Sequence, residues 1–166
     1  MDNSPVELGP IDAQHIEAVK DLWLELARHH WTCAPQITAL AEPVDPEASW
    51  IMRCAQYRRW ADEPGWLLLG ATIADQLVGY AAARITASAS SWEFGPTMGR
   101  LETLVVRDDA RGHGLGQRLV AEVRRHWSAA GVRYGSVSVI AGNSGAERFY
   151  ERLGAVEFTR TSHFPV

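Results

Sequence analysis

The sequence predicts an α/β chain built on a mixed, mostly antiparallel sheet. Three observations carry that prediction. Leucine and β-branched residues over 101–106 run through a glycine-rich turn into an amphipathic helix at residues 117–130, where Leu115, Leu119, Val123 and Trp127 recur every fourth position on one face. A further strand pattern over 133–140 follows, and two strands joined by a helix are expected to lie parallel with a right-handed crossover. Upstream, the patterns 66–73 and 77–85 flank the tight turn Ala74-Asp75-Gln76 and predict an antiparallel hairpin. One domain over residues 1–166 is the expected organisation, since this length suffices for a sizeable core.

Val6-Glu7-Leu8 is a short first strand, closed by Gly9-Pro10. Asp12 stands where it can cap a helix carrying Ile16, Val19, Leu22, Trp23, Leu26 and Trp31 as one stripe. A loop broken by Pro35 and Pro43 leads to Asp45-Pro46-Glu47, which opens a second helix with a cap, a first-turn proline and an acid at the dipole's positive end. Trp50, Cys54, Tyr57 and Ala61 form its inner face. After the hairpin, residues 86–99 with Gly95-Pro96 read as an irregular connection. Gly131 stops the third helix. Asn143-Ser144 caps a short fourth helix with Ala146, Phe149, Tyr150 and Leu153 inside and Gly154 at its end, and residues 155–161 are expected to close the sheet.

The turn between the strand at 101–106 and the third helix carries the chemistry. Glycines at 112, 114 and 116 let the backbone bend and let its amides approach a ligand, while the helix adds unpaired N–H donors and a positive dipole end, which together suit phosphate. Spacing excludes the two commoner nucleotide motifs. Gln117 stands after Gly116 where a P-loop needs lysine and a hydroxyl residue, and no third glycine falls three residues after the second. Arg111-x-x-Gly114-x-Gly116 does resemble the pyrophosphate signature of the GNAT superfamily of acyl-CoA-dependent N-acetyltransferases. The element order resembles that family over nearly the whole chain, with the sharp motifs confined to 101–154. The resemblance implies a six- to seven-stranded sheet, about four flanking helices, and a parallel strand pair splayed at the acyl-CoA site.

What the resemblance implies is direct attack of an amine on the thioester of acetyl-CoA, the cosubstrate. A primary amine with pKa ~10.4 is protonated at neutral pH, so freeing its lone pair costs roughly 4 to 5 kcal/mol, and a base or a water chain to one is needed. Attack places negative charge on the carbonyl oxygen, which requires a donor, and the departing thiolate requires a proton. Glu102 is the first candidate base, read as sharing a strand face with Leu104; a salt-bridged surface carboxylate is the competing reading. Glu93 and Glu25 are weaker substitutes.

By the same resemblance, Leu104 offers the backbone N–H for the thioester carbonyl, and Val105 and Val106 continue the edge along which the pantetheine arm adds like a strand. Arg111, Gly112, His113, Gly114, Leu115, Gly116 and Gln117 form the pyrophosphate turn, where backbones matter more than side chains. Tyr150, in Phe149-Tyr150-Glu151-Arg152-Leu153-Gly154, matches the family's tyrosine facing the CoA sulfur and is read as the acid; Asn143 matches the asparagine touching the pantetheine arm. The acceptor is expected between the first two helices and the connection before the strand at 101–106, which offer Trp23, His29, His30, Trp31, Trp50, Trp92 and Glu93. His29 and His30, being adjacent, cannot share a helix face.

Composition narrows the partners. With 16 basic and 20 acidic residues the net charge is -4, so nothing favours nucleic acid or an anionic membrane and a cationic acceptor is mildly favoured; a small-molecule or peptide amine is the acceptor that the resemblance implies. The 46% hydrophobic and 22% charged content is that of an ordinary globular chain. Cys33 and Cys54 show no metal-ligand spacing and read as reduced and structural, so no metal is expected. The first residues lack a leader pattern and no apolar run is long enough to span a bilayer, which points to the cytoplasm. Monomer and homodimer both remain open. A GNAT-fold acyl-CoA-binding or regulatory module without turnover is the rival reading, and the presence of Tyr150 speaks against it.

Overall fold

The computed structural model describes residues 5–165. Its elements are β1 (Glu7–Pro10), α1 (Lys20–Cys33), α2 (Pro46–Trp60), β2 (Leu67–Ile73), β3 (Gln76–Ala87), β4 (Thr97–Val106), α3 (Leu115–Ala129), β5 (Gly135–Val137) and α4 (Ser144–Arg152). The five strands stand in sequence order in one sheet; β1 to β4 are antiparallel neighbours and β4 pairs with β5 in parallel. The α/β class and the mixed sheet are as expected from the sequence.

Alternation along the central strands gives the sheet two cores. Leu69, Ala71, Ala81, Ala83 and Leu101 face α3, which presents Leu115, Leu119, Val123 and Trp127. Leu68, Tyr80, Ala82 and Val105 face the other way, against Trp23 of α1 and Trp50 and Tyr57 of α2. Local chemistry explains the ends of the elements. Asp45 caps α2 by accepting from the N–H groups of Glu47 and Ala48 at 3.0 and 3.2 Å. Ala74 and Asp75 both take positive φ, +47° and +62°, the geometry whose twist suits a two-residue hairpin turn.

Four expectations change. The irregular connection expected over 86–99 narrows to residues 88–96, because Thr86 and Ala87 continue β3 and Thr97 to Gly99 begin β4, the two strands pairing across the hairpin. Asp12 makes no side-chain cap; it precedes a 3-10 helix, Ala13–Val19, that leads into α1. The strand expected over 133–140 shortens to Gly135–Val137, and residues 155–161 join no ladder, so the sheet has five strands among the described residues instead of six or seven. The shortening has a visible cause. The ladder between β4 and β5 ends at Leu101↔Val137, beyond which the two chains part, and it begins at Gly99↔Gly135, where a Cβ on either glycine would overlap the Trp127 indole. So short a strand offers the C-terminal segment little edge to pair with. There Val156 is exposed, and Phe158 packs edge-on against Trp92 and Phe94.

Candidate active site

A bulge in β4 and the parting of β5 create the site. Ala82 pairs with Thr103 and the next residue, Ala83, with Leu101, so Glu102 is an extra residue in β4 with no partner of its own. Such bulges re-aim side chains, and this one resets the alternation. Leu104 and Val106 pack toward the α3-side core, whereas Val105 belongs to the α1/α2-side core. Glu102 points to the latter side, toward Arg84, whose guanidinium lies 4.4 Å from the Trp60 ring centroid. The bulge thus separates Glu102 from Leu104, which the sequence pattern had placed on one face.

From Glu102 onward β4 has no strand on its β5 side. The resulting cleft is lined by residues 101–104 of β4, residues 137–140 after β5, Asn143, Ala146 and Tyr150 around α4, and Leu26 and His30 of α1. An open strand edge of this kind carries unpaired backbone N–H and C=O groups and accepts an extended ligand as an added strand.

Glu102 is not a free carboxylate. Its Oε1 lies 3.5 Å from Arg84 Nε and 3.4 Å from Arg100 Nε, and Glu63 shares Arg84 at 3.7 Å. Behind it, Tyr57 Oη and Thr103 Oγ1 are 2.6 Å apart and Tyr57 Oη and Tyr80 Oη 3.3 Å, a buried hydroxyl chain that fixes α2 to the bulge. Burial pushes both phenols up, so they stay protonated.

Beyond β4 the chain makes a 3-10 turn at Asp108–Ala110 and enters the glycine turn. Gly112 and Gly114 adopt φ +83° and +73°, left-handed values that strain residues bearing a Cβ. Both are exposed, as are His113 and Gln117, while Leu115 is buried against the sheet. Gly116 is inside the first turn of α3, where a Cβ would come to 3.3 Å from Phe149 of α4. The Arg111 side chain folds back: its Nε donates to Val106 O at 2.8 Å and its Nη1 pairs with Asp108 at 2.6 Å. The turn therefore offers backbone amides first, as a phosphate site at a helix N-terminus requires.

Asn143 caps α4, its side-chain oxygen accepting from Ala146 N–H at 3.1 Å, while it also borders the cleft. Tyr150 sits about two helical turns on, with its ring 5.0 Å from Phe149, and burial pushes its phenol well up, keeping it protonated at neutral pH. Glu102, Leu104, Asn143 and Tyr150 thus meet in one cleft, and the glycine turn lies at the far end of the same strand. Val105 and Val106 continue the open edge.

The acceptor side differs more. No tryptophan borders the cleft: Trp23 and Trp50 are core residues bonded to Ser49 and Glu17, and Trp92 is exposed. Glu25 and Glu93 do not line it either. Of the adjacent histidines, His29 is exposed with its Nε2 3.4 Å from Cys33 Sγ, and only His30 faces the cleft. Arg84 and Arg100 escaped the sequence reading, although their alternation with Glu102 across the hairpin register was a usable signal once the bulge was known. Both cysteines are free thiols, and among the described residues no group of three or more His, Cys, Asp or Glu is placed to hold a metal ion. Among the described residues no helix is long and apolar enough to cross a membrane.

Residues 23–155 match the model of the "Acetyltransferase (GNAT) family". No curated protein matches the sequence. Among solved structures, the aminoglycoside N-acetyltransferase AAC(6')-Iy in complex with CoA is similar at 18% identity and TM-score 0.75, covering 99% of this chain and 96% of that one. The same enzyme with the bisubstrate analogue CoA-S-monomethyl-acetylneamine matches at 17% and 0.72, covering 98% and 99%. A GCN5-related N-acetyltransferase from Ralstonia eutropha matches at 17% and 0.71, again covering 98% and 99%. Identities this low establish a shared fold.

Proposed function

The chain belongs to the GNAT acetyltransferase family, and from that premise we propose that it transfers the acetyl group of acetyl-CoA to a primary amine of a small molecule or peptide. The observation that carries this reading is the convergence of an open β4 edge, a largely buried tyrosine donor and the Glu102 carboxylate in one cleft, with an amide-rich glycine turn at the strand's end. The fit to acetyl-CoA is physical. Nothing lies within 4 Å of a Cβ position on Gly112, and only Gln117 Oε1 at 3.8 Å approaches that of Gly114, so the turn leaves room for a phosphate against the backbone.

In this reading the amides of residues 111–117 bind the pyrophosphate, the edge from Leu104 to Val106 and Asn143 hold the pantetheine arm, and the Leu104 N–H receives the thioester carbonyl. Glu102, neutralised in part by Arg84 and Arg100, orients the acceptor's ammonium end. The amine nitrogen forms a bond to the acetyl carbon as the C–S bond breaks with its pair on sulfur; Tyr150 gives its proton to that sulfur and regains one from the nitrogen.

The experiment is an amine panel with acetyl-CoA, monitored by thiol release. It should include an aminoglycoside, polyamines, amino acids and peptides, because AAC(6')-Iy, whose bisubstrate analogue carries an acetylneamine group, shares only the fold. Amine-dependent thiol release supports the reading. Binding of acetyl-CoA without release for any amine would favour a non-catalytic acyl-CoA module instead.

A further inference from the structure

We propose that His30 of α1 is the group that accepts the proton from the acceptor's ammonium, touching the amine from the part of the cleft wall that α1 supplies. The inference rests on the acetyl-transfer reading above and concerns the question that reading leaves open, the identity of the base.

Besides the hydroxyls of Thr103 and Ser138, three titratable side chains border the cleft: Glu102, Tyr150 and His30. Tyr150 holds its proton at neutral pH because burial raises its pKa, so it can give a proton to sulfur but cannot begin by taking one from an ammonium. Glu102 has its charge shared between Arg84 and Arg100, an arrangement suited to holding a cation's place. His30 differs from both. It has no hydrogen-bonding partner and no counter-ion among the described residues, so its ring nitrogens are uncommitted. An imidazole is also the side chain whose ordinary pKa lies nearest neutrality, where a general base is most effective.

The groups around His30 keep it in the neutral, proton-accepting form. Burial is the main cause, and the charges of His29 on its own helix and Arg53 on α2 add to it, all lowering its pKa. Arg53 is held in place by aromatic rings, with its guanidinium 4.5 Å from the Trp23 centroid and 5.6 Å from that of Tyr57. From the sheet, Glu102 faces the same space, and from α4, Tyr150. When an ammonium enters, its proton passes to a His30 ring nitrogen, and the freed nitrogen lone pair forms the bond to the acetyl carbon. The C–S pair leaves with sulfur, which takes the Tyr150 proton, and the remaining nitrogen proton restores Tyr150. His30 releases its proton to water, so one proton is liberated per acetyl group transferred.

The test is the pH dependence of kcat/KM for the best acceptor, in the wild type and in His30→Gln and Glu102→Gln. The wild type should show an acid limb with a midpoint below the ordinary imidazole value. His30→Gln should lose that limb and fall in kcat by about 10²- to 10⁴-fold, the usual worth of a general base, with the KM for acetyl-CoA unchanged. Glu102→Gln should keep the limb and raise the acceptor KM. An intact limb in His30→Gln, or loss of the limb in Glu102→Gln, overturns the proposal. Should His30→Gln fail to fold, NMR titration of the wild-type His30 imidazole decides alone: its midpoint must coincide with the kinetic limb, and a mismatch refutes the assignment. If the wild type releases no thiol with any amine, it is the acetyl-transfer reading that fails.

Discussion

Gly114→Ala isolates the backbone geometry on which the proposed phosphate site depends. Gly114 is the N-cap of α3 at φ +73°, and the Cβ of an alanine there would meet nothing closer than Gln117 Oε1 at 3.8 Å. The substitution is therefore free of steric conflict, and its cost is conformational. Holding an L-residue in the left-handed region costs roughly 1–2 kcal/mol. Against this, alanine restricts the unfolded chain and returns about 0.4–1 kcal/mol. The net loss is about 1 kcal/mol, which in a chain of this size lowers Tm by about 2–4 °C. Asparagine tolerates left-handed φ and is a favoured N-cap, so Gly114→Asn should melt close to the wild type. Thermal denaturation by circular dichroism of the three proteins is the assay. If Gly114→Ala melts at or above the wild type and Asn gives no advantage over Ala, the turn is not held in this conformation, and the argument for pre-positioned amides fails.

Two further outcomes follow from the cleft. Tyr150→Phe should lower kcat by about 10²-fold or more while leaving acetyl-CoA affinity unchanged, because the phenol is called on only when sulfur departs; steady-state kinetics with a calorimetric Kd check this, and unaltered kcat removes Tyr150 from the reaction. His30 has a folded pKa below its unfolded value of about 6.5, so the unfolded chain binds the proton more readily. Its contribution to stability is fully present above pH 6.5 and is lost as pH falls toward the folded pKa. Urea unfolding between pH 7.5 and 5 should show a steeper loss in the wild type than in His30→Gln, and identical slopes would contradict the half-buried, neutral imidazole.

What could be read in the sequence was local. The Asp45-Pro46 cap, the Ala74-Asp75 turn and the glycines at 112 and 114 each depend on a few neighbouring residues, and each stands where the pattern placed it. Tyr150 and Asn143 were legible because the family motif fixes their spacing. The bulge was not: a period-2 pattern runs smoothly through Glu102, and the extra residue appears only when β4 is registered against Ala82 and Ala83, about 20 positions earlier. That single shift moved Glu102 to the face carrying Arg84 and Trp60. The short β5 was equally hidden, because residues 133–140 carry strand propensity whose pairing is cut short where the two chains part. The sequence offered His29 and His30 alike on the acceptor side, and only the cleft shows that His30, and not His29, borders it together with Tyr150.

The central claim is that the open β4 edge and the glycine turn bind an acyl-CoA. Thermal denaturation of the wild type with acetyl-CoA, CoA, ADP and NAD at matched concentrations tests it most directly. Acetyl-CoA and CoA should stabilise the fold, by about 2.7 kcal/mol at a hundredfold excess over Kd, because they alone engage both the turn and the strand edge. A melting point raised by ADP or NAD but unmoved by CoA would contradict the account.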